Sequence, residues 1–189
     1  FQIPELLKTE KNPKPTASMV TNGYLLMFGP EHAEEQYKAL ENHKACEAGT
    51  KNIKGSELTK FFPYINSEGI ETATFTDNKS EGWIDPFMFH SALKSKATEL
   101  GAEFTKGQVK SLSEIKAKTI ISAAGCWTKE LLEDIPVEPQ KHTVFRVKCP
   151  KHIPEMPLTG DLTTGVYWRP EGKEYLAGSP KSVFDAKDL

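Results

Sequence analysis

The apolar run from Gly23 to Phe28 predicts a strand with Tyr24, Leu26 and Phe28 on one face, closed by Gly29-Pro30. Pro30 suits the first turn of a helix running to about Cys46. Glu31, Glu34 and Glu35 stand near its start and Lys44 near its end, the charge order that the helix dipole favours. Ser56 is placed to cap a short helix that stops before Pro63, and Glu71 to Thr76 alternates as another strand. The polar, proline-broken run Thr9 to Pro15 reads as a loop.

The best-marked helix is Pro86 to Leu100. Asp85 can accept from the open amides of the first turn, Pro86 sits where no N–H is needed, and Gly101 suits a left-handed cap. Phe89, Ala92, Leu93, Ala97 and Leu100 recur at helical spacing and are expected to face the core. Ala102 to Thr105 and Gly107 to Leu112 read as strands. A short apolar strand, Thr119 to Ser122, then runs into Ala123-Ala124-Gly125, and a helix over Thr128 to Asp134 ends before Pro136. His142 to Lys148, Leu158 to Leu162, Val166 to Arg169 and Glu174 to Ala177 supply strands of an antiparallel sheet. The fold class is therefore α+β: a mixed, largely antiparallel sheet with helices on one side.

Composition narrows the function. With 189 residues, 38% hydrophobic and 10% aromatic, the chain can bury a core as a single folded unit spanning 1–189. A formal charge of -2 offers no basic field for nucleic acid or an anionic membrane surface, and no apolar run reaches bilayer length. Of 24 basic residues only Arg146 and Arg169 are arginines. The three cysteines form no Cys-x-x-Cys pair and suit a reducing compartment. His43-x-x-Cys46 and Cys149-x-x-His152 have zinc-like spacing, but they lie far apart in sequence, and packed or surface side chains are the better reading.

The most informative stretch is Lys118 to Thr128. Small residues at the carboxyl end of a strand let a backbone approach something bulky and flat, and in open α/β sheets ligands lie at that end. An ordinary tight turn from strand to helix is the alternative. In colinear order, Glu81-Gly82-Trp83-Ile84-Asp85-Pro86, the Ala-Ala-Gly strand, Pro136-Val137-Glu138-Pro139 and Val166-Tyr167-Trp168-Arg169-Pro170-Glu171-Gly172 resemble the D-amino-acid-oxidase-like family of FAD-dependent oxidoreductases, glycine and sarcosine oxidases among them. Asn22-Gly23-Tyr24-Leu25-Leu26 and Phe62-Pro63-Tyr64-Ile65-Asn66 resemble in particular the FAD-dependent oxidoreductase domain-containing protein 1 group. The likeness runs from Phe1 to about Pro180.

Family members open with a Gly-x-Gly-x-x-Gly turn that seats the FAD pyrophosphate, and no Gly-x-Gly occurs here. The resemblance thus implies an internal fragment of a longer flavoprotein, mainly its substrate domain, with 118–134 as a strand-turn-helix remnant of the FAD-binding α/β domain. It implies flavin chemistry: hydride transfer from the carbon beside the amine of a small amine or amino acid, with sarcosine, glycine or dimethylglycine as types. It also implies that Ala123, Ala124, Gly125 and Trp127 pass beside FAD, and that Tyr167 points into the substrate site.

Tyr167 and Arg169 are two apart on a strand and so share a face, with Val166 and Trp168 on the opposite, packed face. Arg169 is suited to a carboxylate, with Arg146 in reserve, the alternative being a surface ion pair. Trp83 is expected to pack the core beneath the Asp85 helix. No catalytic acid, base or metal ligand is expected. Lacking the nucleotide-binding turn, the chain alone is expected not to retain FAD. Truncation is expected to leave Thr119 to Ser122 without sheet neighbours and to promote a homo-oligomer through that surface. A cytoplasmic location is expected, mitochondrial in a eukaryote. The second reading is a non-catalytic assembly factor or chaperone of a respiratory complex, because the group resembled has a member of that kind.

Overall fold

The computed structural model describes residues 3–15, 17–76, 79, 81–139 and 142–179. In chain order the elements are α1 (Ile3–Leu6), β1 (Tyr24–Phe28), α2 (Ala33–Ala45), β2 (Thr50–Lys54), α3 (Gly55–Phe61), β3 (Thr72–Thr76), α4 (Pro86–Glu99), α5 (Thr128–Leu131), β4 (Val144–Val147), β5 (Leu158–Asp161), β6 (Val166–Glu171) and β7 (Glu174–Gly178). All seven strands join one open sheet in the order β2-β3-β1-β5-β6-β7-β4. Only β1 and β5 run parallel, and every other pairing is antiparallel. The α+β class with a mixed, largely antiparallel sheet is as the sequence predicts.

The core forms on one face of this sheet. Leu25, Met27, Ile53 and Ala73 meet Leu58, Phe62, Ile65, Met156 and Tyr175, with Phe75 and Trp168 packed against them. Phe62 closes edge-to-face on Phe75 at 5.1 Å between ring centroids. β1 is thus turned over relative to expectation: Leu25 and Met27 are buried, and Tyr24, Leu26 and Phe28 are half-buried on the other face. Both sets are apolar, so alternation alone could not tell inside from outside. α3 brings Leu58 to the core face, whereas α2 reaches the opposite face, where Gln36 Nε2 donates to Asn52 Oδ1 at 3.2 Å. The helices are therefore divided between the two faces and not gathered on one side.

Local signals explain most element ends. Asp85 caps α4 by accepting from the Met88 N–H at 2.9 Å, and Gly101 follows it with φ +96. Ser56 does not cap α3. The helix begins one residue earlier at Gly55, whose N–H donates to Glu71 O at 2.9 Å, so the neighbouring chain serves that amide and Ser56 lies inside the first turn. α4 also departs from its expected packing. Of its apolar stripe only Ala92 is buried, while Leu93 and Leu100 are exposed. The helix is held at its ends instead: the Asp85 N–H donates to Ala17 O, and Glu99 accepts from the Glu10 N–H, each at 2.9 Å.

Residues 102–124 differ most from expectation. Ala102 to Thr105, Gly107 to Leu112 and Thr119 to Ser122 form no strand, and apart from a short turn at Leu112–Glu114 the run is irregular. A strand exists only through a ladder partner, and none of the seven strands lies beside this run. The expected helix from Thr128 ends at Leu131, three residues short of Asp134.

Candidate functional site

Tyr167, Arg169 and Arg146 all project from the face opposite the core. Arg169 lies across from Leu176 on β7, and Leu176 lies across from Arg146 on β4. One step along the strands, Tyr167 pairs with Gly178 on one side and Gly160 on the other. Because successive residues alternate in direction, these positions share one face and Trp168 falls on the other, against the core. Val166 shares that second face but is exposed at the sheet margin, contrary to expectation. Gly178 matters here through space and not through its dihedrals. A Cβ on it would stand 2.6 Å from Tyr167 Oη, so the phenol lies flat across a strand that has no side chain at that point.

The two arginines are not equivalent. Arg146 is largely exposed on the edge strand, with Nη2 2.6 Å from a Glu174 carboxylate oxygen, a surface pair of small energetic value. The Arg169 side chain is only 18% exposed. Its Nη1 donates to Glu171 Oε2 and, at 3.1 Å, to Pro170 O. Its Cζ lies 5.2 Å from the centroid of the Trp83 ring. A cavity of about 390 Å³ opens beside it, walled by Trp83, Asp85, Pro86, Pro154, Arg169 and Glu171. Neither Tyr167 nor Arg146 lines that cavity, so the three candidates share a face without converging on one point.

Trp83 corrects the sequence reading. It is half-buried and not part of the core cluster, and its ring serves Arg169. No local pattern announces a contact between residues so far apart in sequence. The ion pair with Glu171 was legible, since opposite charges two apart on a strand share a face.

The turn that the resemblance assigns to the cofactor lies in the irregular region. Ala123, Ala124 and Trp127 border a cavity of about 460 Å³ with Val109, Leu112, Ile120 and Glu130. Gly125 begins a short 3-10 turn at φ +58, and nothing stands within 4 Å of where its Cβ would be. This surface can receive a flat apolar group closely. Among the described residues no lysine or arginine lines it, so it fits one flank of FAD and offers no cation to the pyrophosphate. Trp127 is 66% exposed and does not brace α5 against a packed layer.

Elsewhere, Tyr64 borders an apolar cavity of about 510 Å³ on the core side with Trp168, Tyr175 and Met156. Burial, and secondarily the neighbouring Tyr175, push its phenol up to about 12. Among the described residues no group of three or more His, Cys, Asp or Glu side chains could hold a metal ion, and no helix is long and apolar enough to cross a membrane.

Comparison with known proteins agrees with this architecture. A Xenopus laevis relative, FAD-dependent oxidoreductase domain-containing protein 1, is 27% identical over 219 residues, covering 89% of this chain and 44% of its own. L-proline dehydrogenase from P. horikoshii superposes with a TM-score of 0.69 at 22% identity, over 85% of this chain and 49% of that one. Glycine oxidase from Geobacillus kaustophilus gives 0.65 at 16% identity, over 86% of this chain and 48% of that one. The chain thus spans about half the length of these proteins or slightly less. The family profile described as DAO, FAD dependent oxidoreductase, matches residues 3–188, and the chain belongs to that family.

Proposed function

We propose that this chain is the substrate-binding sheet of a flavoenzyme that oxidises a small amine or amino acid, of the glycine, sarcosine or dimethylglycine type. The observation that carries the reading is the common face of Tyr167 and Arg169, with a cavity of about 390 Å³ beside the guanidinium. A small amine or amino acid would fill only part of that volume. Arg169 would hold the substrate carboxylate, with Arg146 in reserve, and Tyr167 would face the same side of the sheet two residues along the strand, outside that cavity. When bound, FAD supplies the hydride acceptor. Ala123, Ala124, Gly125 and Trp127 would lie along one flank of it, and residues 118–134 would belong to the FAD-binding part of the longer protein. With no cation lining that surface, the chain alone is expected to be isolated without flavin. The same reading places the protein in the cytoplasm, or in the mitochondrion of a eukaryotic cell.

The test uses a protein of the relatives' full length, loaded with FAD and kept anaerobic. Sarcosine, glycine and proline are added in turn while the visible absorbance of the oxidised flavin is followed. Bleaching by at least one of them is expected. Arg169→Ala should raise KM about tenfold or more with a smaller change in kcat, as for lost binding of a charged group. Flavin that no amine or amino acid reduces, or an Arg169→Ala variant with unchanged KM, would overturn the assignment.

A further inference from the structure

The Arg169 guanidinium is only partly engaged. Both of its hydrogen bonds leave from Nη1, to Glu171 and to the Pro170 carbonyl, and Nη2 and Nε have no partner among the described residues. Nε and Nη2 form one of the edges of the planar fork whose paired N–H groups match the two oxygens of a carboxylate. A largely buried arginine with that edge unclaimed, beside a cavity, is half of a recognition site.

The other half is what fixes the plane of the fork. The Arg169 Cζ lies over the Trp83 ring at 5.2 Å from its centroid, where attraction between the cation and the aromatic face is effective. Trp83 is itself held on both sides in the chain. It forms an isolated antiparallel bridge with Val20, the two N–H···O bonds being 2.9 and 3.1 Å. Next to it a Cβ on Gly82 would stand 1.8 Å from Val20 O, so only glycine permits this approach. Two residues on, Asp85 is tied by its N–H to Ala17 O and by its carboxylate to the first turn of α4. The indole is therefore carried by a fixed length of backbone, and the guanidinium by a paired strand.

We propose that Trp83 is a positioning residue: it fixes the Arg169 plane so that the Nε–Nη2 edge takes a ligand carboxylate side-on, while Glu171 keeps Nη1. This rests on Arg169 being the carboxylate-binding residue. It adds that recognition needs an aromatic face at position 83, and that Glu171 need not leave for the ligand to bind.

The experiment observes the Nε–Hε resonances of the whole chain by nitrogen-15 NMR. There are only two arginines, so two signals are expected, and Arg146→Lys identifies them. The probe is sodium acetate, with sodium chloride at equal ionic strength as the reference. In the unliganded wild-type chain the ring current of Trp83 should move the Arg169 Hε signal upfield of that of Arg146. Acetate should then shift the Arg169 signal saturably, and chloride should not. Trp83→Phe keeps an aromatic face and should bind acetate nearly as the parent does. Trp83→Leu fills the space without that face and should bind about 3- to 30-fold more weakly, the range of one such contact.

Equal affinity in the Phe and Leu variants would overturn the role of Trp83 while leaving Arg169 as the carboxylate site. An Arg169 signal indifferent to acetate in the parent chain would instead overturn the reading of Arg169 on which the proposal rests. Should the Leu variant fail to fold, the wild-type spectrum still decides, because an Arg169 Hε signal with no upfield displacement excludes the stacked geometry.

Discussion

Leu25 and Ile121 are both aliphatic residues within apolar runs, yet the first is fully buried and the second 86% exposed. The difference lies in their neighbours. β1 pairs with β3 on one side and β5 on the other, and its inward face meets α3. Thr119 to Ser122 has no ladder partner among the described residues, and its residues are exposed. Apolar sequence makes a strand possible, and pairing makes it one. The sheet that holds Tyr167 and Arg169 is therefore paired strand to strand, and the stretch assigned to the cofactor is without ladder partners among the described residues.

The sharpest way to break that contrast is to cut a methyl-bearing side chain from each region. Leu25→Ala should lose about 2–5 kcal/mol, because the removed atoms leave a cavity between paired strands and α3. Ile121→Ala should change stability by less than about 0.5 kcal/mol, as an exposed site does. Urea unfolding followed by circular dichroism measures both. A comparable loss in the two variants would mean that residues 119–122 are packed in solution and that the contrast is false.

Alkaline pH probes the packed region alone. The Tyr64 phenol is raised from 10.0 to about 12, chiefly by burial, so folding holds its proton more tightly than the unfolded chain does. Its contribution to stability is complete below pH 10.0 and is lost as pH rises toward about 12. Tyr64→Phe should remove that part of the decline, so the urea midpoints of parent and variant should separate across this window as the parent's falls. Parallel curves would show that the phenol is not buried beside Tyr175.

Next in size is the cap of α4, which joins the two regions. Asp85→Ala removes the acceptor for the Met88 N–H and should cost about 1 kcal/mol, within the usual range of about 0.5–2 for such caps. Because Asp85 also lies two residues from Trp83, the variant should perturb the Arg169 Nε–Hε signal as well. A stability loss with that signal unmoved would show that the helix start and the arginine site are independent.

What the sequence made legible follows the same division. α4 was readable because Asp85, Pro86 and Gly101 act locally, and β5 to β7 because alternation and turns recur at short range. The common face of Tyr167 and Arg169 came from strand periodicity alone. β2 was missed: in Thr50-Lys51-Asn52-Ile53-Lys54 only Ile53 is apolar, and the strand owes its existence to β3. The expected strands at 102–105, 107–112 and 119–122 failed for the converse reason, apolar residues without a partner. Trp83 was named but misplaced, because its ring meets a side chain that only the fold brings near. Site residues held by local periodicity could be read, and those held by tertiary approach could not.

The smallest effect on stability should accompany the largest change in assembly. Ile121 is 86% exposed and Ile120 40%, with Phe104, Val109 and Trp127 exposed in the same irregular region. Apolar surface beside backbone groups that lack ladder partners is suited to recruiting another chain. The chain is therefore expected to self-associate through this surface, and a charge placed at its most exposed point should oppose that. Ile121→Lys buries nothing new in the monomer, so the unfolding free energy at low concentration should stay within about 0.5 kcal/mol of the parent. Light scattering should show the parent's mean mass rising with concentration and the variant's remaining near 21.1 kDa. Leu100→Lys serves as the control, since Leu100 is 76% exposed at the end of α4 and outside that run. A parent that stays monomeric at high concentration, or a Leu100→Lys variant that disrupts assembly as well as Ile121→Lys does, would remove residues 119–122 as the contact.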